Sequence, residues 1–131
     1  MRDVSVPAGR PVTRADLVPV VARERAAEFP RTIPFEHYHD GAWRPVTMGE
    51  VVRRVDEIAS GLVASGVLPG DRVALMAATR LEWVLVDMAV WTAGAISVPV
   101  YPSSSAAQLQ WILEDSAARV LVAEGDEHAA V

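Results

Sequence analysis

Apolar and polar residues alternate in blocks along residues 66–124, and these blocks predict five elements. Three short apolar runs, at residues 72–77, 96–101 and 119–123, are typical of strands that are covered on both faces. Two longer segments with helix start and stop signals separate them. Because a strand–helix–strand–helix–strand order with short connections favours a parallel sheet, the sequence predicts an α/β fold built on a parallel βαβαβ unit.

Both helices of this unit begin at a pattern typical of a capping box. Thr79 and Glu82 precede a helix over residues 80–92, which is apolar on nearly every side and is therefore expected to be buried. Ser105 and Gln108 precede the second helix. The side chains expected to be buried between helices and sheet are Val73, Leu75, Trp83, Leu85, Val86, Met88, Val98 and Val120.

The first thirty residues predict an arm and a helix. Residues 1–15 contain two prolines and a glycine and are interpreted as an irregular arm. Asp16 is a candidate N-cap for a helix over residues 17–29. Pro19 then falls in the first turn of that helix, where its missing N–H costs nothing.

A hairpin and an amphipathic helix are predicted next. Asp40 and Gly41 stand between two strand-like runs, and this dipeptide favours a tight hairpin turn. Thr47 and Glu50 form a further T-x-x-E pattern before a helix with one apolar face. Gly66 follows the last apolar position of that helix, where it predicts a left-handed cap.

Composition removes several classes of chemistry. The chain of 131 residues contains no lysine and no cysteine, so all 12 of its basic residues are arginine. Schiff-base chemistry and a phosphate-loop lysine are thereby excluded, as are disulfides and cysteine-based zinc sites. The net charge of −5, with no run of basic residues, predicts no nucleic-acid partner.

Few residues suggest a site. His37 and His39 are two apart on a predicted strand, so their rings share a face, and Asp40 follows them. A zinc ion would need at least a third ligand, and an exposed hairpin end is the favoured alternative. The serines at positions 103–105 follow a predicted strand, where they indicate either anion binding or, as the favoured interpretation, helix capping.

Residues 81–101 form a mostly apolar stretch long enough to be compared with a membrane span. Glu82, Asp87 and Pro99 interrupt it, which favours a buried helix followed by a buried strand, and no transmembrane span is expected. The tryptophans interpreted as core or interface anchors are Trp83, Trp91 and Trp111.

Several phrases in the chain resemble the motifs of a known family. WRPVTMGEV and WTAGAISVPVYP are similar to the first two core motifs of the AMP-forming acyl-CoA synthetases, members of the adenylate-forming superfamily. Met48 stands where the first motif commonly has an aromatic residue. ATRLEW, VPVYPSSS and ILEDS most resemble bacterial long-chain fatty-acid–CoA ligases. By this resemblance, residues 16–131 are interpreted as an incomplete portion of the large N-terminal, AMP-binding domain of adenylate-forming enzymes.

The resemblance implies a ligase reaction for the parent enzyme. Members of the family join a fatty acid to ATP as an acyl-adenylate, with release of pyrophosphate, and then transfer the acyl group to CoA. The implied cofactors are ATP, Mg²⁺ and CoA, and the implied partners are the fatty acid and the rest of the parent chain, with a homodimer left open. The implied location is the cytoplasm, with peripheral membrane contact left open.

No catalytic, cofactor-binding or metal-binding residue is carried over from the family to this chain. The family's Ser/Thr/Gly-rich phosphate loop and its lysine have no counterpart in the sequence. The chain alone is therefore expected to be structural and inactive, with one strand edge unpaired and part of the Trp91 or Trp111 surface uncovered. Two alternatives stay open: a stand-alone non-catalytic interaction module, and an adenylating enzyme for another carboxylic acid.

Overall fold

A computed structural model describes residue 11 and residues 13–125, and the elements below lie in this part of the chain. Most of the predicted arm, residues 1–10 and 12, falls outside the described residues. A single 3-10 turn, Arg14–Asp16, comes first. The helices are α1 (Val18–Glu28), α2 (Met48–Ala64), α3 (Leu81–Thr92) and α4 (Ala106–Ser116), and the strands are β1 (Phe35–His39), β2 (Ala42–Val46), β3 (Arg72–Met76), β4 (Ile96–Val100) and β5 (Val120–Ala123).

The predicted α/β architecture is confirmed. The strands β3, β4 and β5 form a parallel sheet in the order β4-β3-β5, while β1 and β2 form a separate antiparallel hairpin. In the central pairing, Ala74 of β3 is aligned with Val98 of β4 on one side and with Leu121 of β5 on the other. Within the described part of the chain, β4 and β5 each have one strand neighbour, so both are edges of the sheet.

Local turn and cap chemistry formed as predicted at three places. Asp40 and Gly41 both have positive φ, 49° and 77°, as the two-residue turn of this hairpin requires. Gly66 has φ 93° and ends α2, with its N–H donating to the Val63 carbonyl at 3.0 Å. At α4 the predicted capping box of Ser105 and Gln108 is complete in both directions.

Two predicted N-caps are wrong, because each side chain or its partner has a competing contact. Asp16 turns back to accept hydrogen bonds from the backbone N–H and hydroxyl of Thr13, at 2.8 and 2.7 Å, so Leu17 occupies the cap position of α1. Pro19 does lie in the first turn of that helix, as expected. Thr79 does not cap α3, which begins one residue later, after Arg80.

At α2 the predicted capping box is half formed. Thr47 Oγ1 accepts a hydrogen bond from the backbone N–H of Glu50 at 3.3 Å. The carboxylate of Glu50 binds Arg54, one turn along the helix, instead of reaching back to the cap.

The predicted core is confirmed at its centre and too broad at its margins. Val73, Leu75 and Leu85 are buried, and their accessible fractions lie between 0% and 3%. The other predicted core residues are only half-buried, namely Trp83, Val86, Met88, Val98 and Val120. They are less buried because α3 and the edge strands are not covered on every side within the described part of the chain. Trp91 and Trp111 are 42% and 64% exposed, so neither is a core anchor within residues 13–125.

No helix in the described part of the chain is long and apolar enough to cross a membrane.

Candidate functional site

The loop after β3 and the residue after β5 meet at the carboxyl edge of the sheet. Arg80 Nε donates to Glu82 Oε2 at 2.6 Å, and Arg80 Nη1 donates to Glu124 Oε1 at 2.7 Å. The other oxygen of Glu124 accepts the backbone N–H of Ala78 at 2.8 Å. We call Arg80, Glu82 and Glu124 the Arg80 cluster. It ties the ends of two neighbouring strands together at the edge where open α/β sheets bind ligands.

The positive charge of Arg80 and the negative charge of Glu82 each stabilise the ionised form of the other group. Hydrogen bonds from the guanidinium to Glu82 and then to Glu124 raise the pKa of Arg80 above its ordinary value. The same hydrogen bond from Arg80 lowers the pKa of Glu82, and the nearby His37 has a smaller effect in the same direction. Arg80 and Glu82 are therefore ionised at neutral pH, and the carboxyl group of Glu124 is the second partner of the guanidinium.

A cavity of about 280 Å³ lies beside the cluster, between the start of α3 and the ends of β3 and β5. Its floor is apolar and its rim carries the cluster's charges. The lining residues are Leu75, Ala77, Arg80, Glu82, Trp83, Val86, Val122, Ala123 and Glu124. Its shape would accept a compact apolar group, whereas its rim would repel an anion.

A second cavity, of about 550 Å³, separates the hairpin from the start of α3. His37 and His39 line it with their rings stacked at 6.0 Å between centroids. Tyr38 and Trp43 pack edge to face across the hairpin at 5.6 Å and are 64% and 66% exposed. The two histidines thus share a face, as predicted.

The structure does not assemble a metal site around those histidines. The third candidate, Asp40, contacts His39 at the exposed hairpin turn, with Oδ2 3.3 Å from Nε2. Among residues 11 and 13–125, no three His, Asp or Glu side chains lie close enough together to hold a metal ion. The serines at 103–105 lie at the start of α4, where Ser105 is the helix cap.

The described residues also do not fit the phosphates of ATP. Phosphate sites use unpaired cationic groups or a glycine-rich loop at a helix start. At the start of α3 the guanidinium of Arg80 is already shared by two carboxylates, and the cluster as a whole is negative. We assign no nucleotide contact to these residues.

Sequence reasoning missed the Arg80 cluster. Arg80 and Glu124 are 44 positions apart, and they meet only because β3 and β5 are adjacent and parallel. A usable signal was present: residues of opposite charge follow two predicted parallel strands, and the carboxyl ends of such strands share one edge.

Comparison with known proteins gives one consistent family. The profile described as AMP-binding enzyme matches residues 22–131. The long-chain-fatty-acid–CoA ligase FadD15 of Mycobacterium tuberculosis is 42% identical over 129 residues, which is 98% of this chain and 22% of the relative. The same figures hold for FadD15 of Mycobacterium bovis. The chain thus spans about a fifth of the length of these curated relatives.

Solved structures agree with the sequence relatives. A fatty acid AMP ligase from Legionella pneumophila superposes with a TM-score of 0.75 at 27% identity, over 86% of this chain and 20% of that one. A fatty acyl-adenylate ligase from the same organism, in complex with acyl adenylate and pyrophosphate, superposes with a TM-score of 0.76 at 26% identity, over 85% and 20%.

Proposed function

Because the chain belongs to the AMP-binding enzyme family and its fold matches the N-terminal domain of these enzymes, we propose that it is part of a long-chain fatty-acid–CoA ligase. In that reaction a fatty acid and ATP form an acyl-adenylate and pyrophosphate, and CoA then takes the acyl group with release of AMP. The observation that carries the proposal is the 42% identity to FadD15 across 98% of the chain.

Within that enzyme, we propose a structural role for residues 13–125. Two features support it: buried side chains cover both faces of β3, and the charged groups at the carboxyl edge of the sheet are engaged in ion pairs with one another. A group that acts on substrate needs a free donor, base or nucleophile. The Arg80 cluster instead fixes the relative position of β3, α3 and β5.

The cofactors of the proposed reaction are ATP, Mg²⁺ and CoA, and their binding groups are proposed to lie outside residues 13–125. The acyl-adenylate complex of the Legionella relative supports a nucleotide-dependent reaction in the family. A cytoplasmic location and contact with the rest of the ligase are part of the same proposal.

The test is a chimera in which this chain replaces the matching segment of M. tuberculosis FadD15. Palmitate, ATP and CoA are supplied, and palmitoyl-CoA, AMP and palmitoyl-adenylate are quantified. We expect kcat/KM within about tenfold of unaltered FadD15, which corresponds to a loss of no more than about 1.4 kcal/mol in transition-state stabilisation. The 131-residue chain alone, assayed in parallel, should release no pyrophosphate.

Three outcomes would count against the proposal. A folded chimera inactive on octanoate, palmitate and benzoate would contradict the family role. Accumulation of palmitoyl-adenylate without palmitoyl-CoA would move the assignment toward the fatty acid AMP ligases to which the fold is also similar. Turnover by the chain alone, surviving a control for contaminating ligase, would overturn the structural role.

A further inference from the structure

The register of the hairpin determines which of its backbone groups point away from it. Asp40 and Gly41 form a two-residue turn, and His39 is aligned with Ala42 across it. In such a turn the two flanking residues exchange both of their hydrogen bonds, and hydrogen-bonded and non-hydrogen-bonded pairs then alternate along the strands. The second and fourth pairs from the turn are therefore non-hydrogen-bonded, so their N–H and C=O groups point outward.

These outward pairs are Tyr38 with Trp43 and Glu36 with Pro45. The close approach of Tyr38 and Trp43, whose ring centroids are 5.6 Å apart, is typical of a non-hydrogen-bonded pair. Pro45 fits the same assignment, since it has no N–H to donate to β1. The outward edge of β2 therefore has one donor, at Trp43, whereas the outward edge of β1 has donors at both Glu36 and Tyr38.

The outward edge of β1 has no partner in the described part of the chain. There, β1 and β2 form a separate sheet of two strands. No hydrogen bond from residues 11 and 13–125 reaches the backbone N–H or C=O of Glu36 or Tyr38. Because an isolated two-stranded ribbon is only marginally stable in water, a third strand on this edge would stabilise the hairpin.

A slot follows this edge of the hairpin. The cavity of about 550 Å³ between the hairpin and the start of α3 is lined by all five residues of β1 and by residues 79–82 and 84. Trp43 is the one residue of β2 that lines it. The slot therefore runs along β1 on the side away from β2. The five residues of β1 extend over about 17 Å, which is the length of an ordinary strand.

The parent enzyme is the favoured source of a strand for this slot. The curated relatives that match 98% of this chain are several times its length, since the match covers 22% of them. A second copy of the chain is a poorer occupant, because its own β1 edge is bordered by the start of α3 in the same way. A strand that joins an existing edge binds through its main chain, and its alternate side chains enter pockets such as the apolar part of this slot around Phe35 and Leu81.

We propose that an extended segment from the part of the ligase outside this chain enters the slot and pairs with β1 as a third strand. The segment exchanges main-chain hydrogen bonds with Glu36 and Tyr38. This inference rests on the proposed function, because it takes the segment from the same enzyme. The added strand fixes the hairpin against the start of α3, and thereby against the Arg80 cluster.

The test is hydrogen–deuterium exchange of single backbone amides in the FadD15 chimera. We expect the amides of Glu36 and Tyr38 to exchange at least about tenfold more slowly than that of Trp43, after correction for intrinsic rates, because β1 alone gains a partner strand. In the 131-residue chain, these three amides should exchange at similar rates. The amides of His37 and Arg44, which pair within the hairpin, report in both proteins that the hairpin is formed.

Two matched proline variants test the same contact through stability. Tyr38→Pro and Trp43→Pro each remove one outward N–H and one ring of the same aromatic pair. Pro45 shows that the hairpin accommodates a proline at such a position. Both variants should lower the Tm of the 131-residue chain to a similar extent, whereas in the chimera Tyr38→Pro should lower Tm by at least about 2 °C more than Trp43→Pro. Equal losses of Tm in the chimera would contradict pairing at β1.

Three exchange results would overturn the inference, even in an active chimera. One is equally fast exchange at Glu36, Tyr38 and Trp43 in a chimera whose hairpin is formed. Another is slow exchange at Trp43 alone, which would place the added strand on β2. The third is slow exchange at Tyr38 in the 131-residue chain that becomes slower with concentration, which would assign the edge to a second copy. A folded chimera that lacks ligase activity but protects Glu36 and Tyr38 would retain the inference and contradict the proposed function.

Discussion

The two faces of the parallel sheet are packed to different depths. On the face covered by α2 and α3, twelve buried residues form one cluster that continues to Val46 at the end of the hairpin. On the face covered by α4, four buried residues form the second cluster: Ala74, Met76, Val100 and Leu109. Successive residues of β3 supply both clusters, since Val73 points to the larger one and Ala74 to the smaller one.

This difference shows which face of the sheet is packed more completely by the described part of the chain. Half-buried apolar side chains border both clusters, but the larger one is covered by two helices, α2 and α3, whereas the smaller one is covered by α4 alone. On the outer surface of α4, Trp111 is 64% exposed. Stability should therefore depend mainly on the α2–α3 face, and the α4 face should respond less to a comparable change.

The largest expected effect is a truncation on each face. Leu85 and Leu109 are 3% and 1% exposed, so Leu85→Ala and Leu109→Ala delete similar buried groups. We expect the free energy of unfolding to fall by about 3–5 kcal/mol for Leu85 and about 2–3 kcal/mol for Leu109, because the smaller cluster can relax around the cavity. Urea unfolding measures both.

Equal losses would show that the α4 face is packed as rigidly as the other, and would remove the contrast. A loss below about 0.5 kcal/mol for Leu85→Ala would contradict the assignment of α3 to the core.

A smaller effect of opposite sign is expected at the end of α4. Ala117 has φ 49° and ψ 46°, a left-handed conformation that costs a residue with a Cβ about 1–2 kcal/mol. Ala117→Gly should therefore raise the free energy of unfolding by about 0.5–1 kcal/mol, once the greater flexibility of glycine in the unfolded chain is subtracted. Thermal unfolding can detect this. Gly66→Ala, at φ 93° on the α2 side, is the matched reverse change and should destabilise. Destabilisation by both variants would show that strain at Ala117 is absent.

The smallest expected effect is the pH dependence of the Arg80 cluster. Because Arg80 lowers the pKa of Glu82, ionised Glu82 stabilises the fold above its unfolded-state pKa of about 4.3 and loses that contribution as the pH falls through its lower folded-state value. Both side chains are about half exposed, so Glu82→Gln should cost less than about 1 kcal/mol at neutral pH. The difference in the free energy of unfolding between wild type and variant should shrink as the pH falls below the unfolded-state pKa of Glu82, and it should also shrink in about 1 M salt. A difference that is independent of pH and salt would exclude an ionic contribution.

The sequence predicted the features that depend on neighbours along the chain. The hairpin turn needed only Asp40 and Gly41, and the α4 cap needed only Ser105 and Gln108, because each set of groups lies within four residues. Hydrophobic periodicity likewise located all three strands of the parallel sheet within two residues.

The failures have a common physical origin in competing partners. Glu82 could complete the predicted capping box with Thr79 only if its carboxylate were free, but it accepts a hydrogen bond from Arg80, which also donates to Glu124 at the end of β5. The low exposure of Asp87 could not be predicted either, since the sequence pattern of a single carboxylate in an apolar helix is the same whether that residue is exposed or enclosed. The Arg80–Glu124 contact depends on which strands become neighbours, whereas the Thr13–Asp16 contact is local and competes with a helix cap that uses the same residue types.

Pro99, in the edge strand β4, makes the pairing of a further strand less favourable at β4 than at β5, the other edge of the described sheet. Proline has no amide hydrogen, so an incoming strand that paired along β4 would find a gap in its row of donors. In β5 (residues 120–123) no proline interrupts the row of backbone groups that face away from β3, so these groups can donate to and accept from an incoming strand. Misassembly between copies of this chain, as well as correct extension of the sheet, should therefore start at β5, and a proline there would act as a gatekeeper against both.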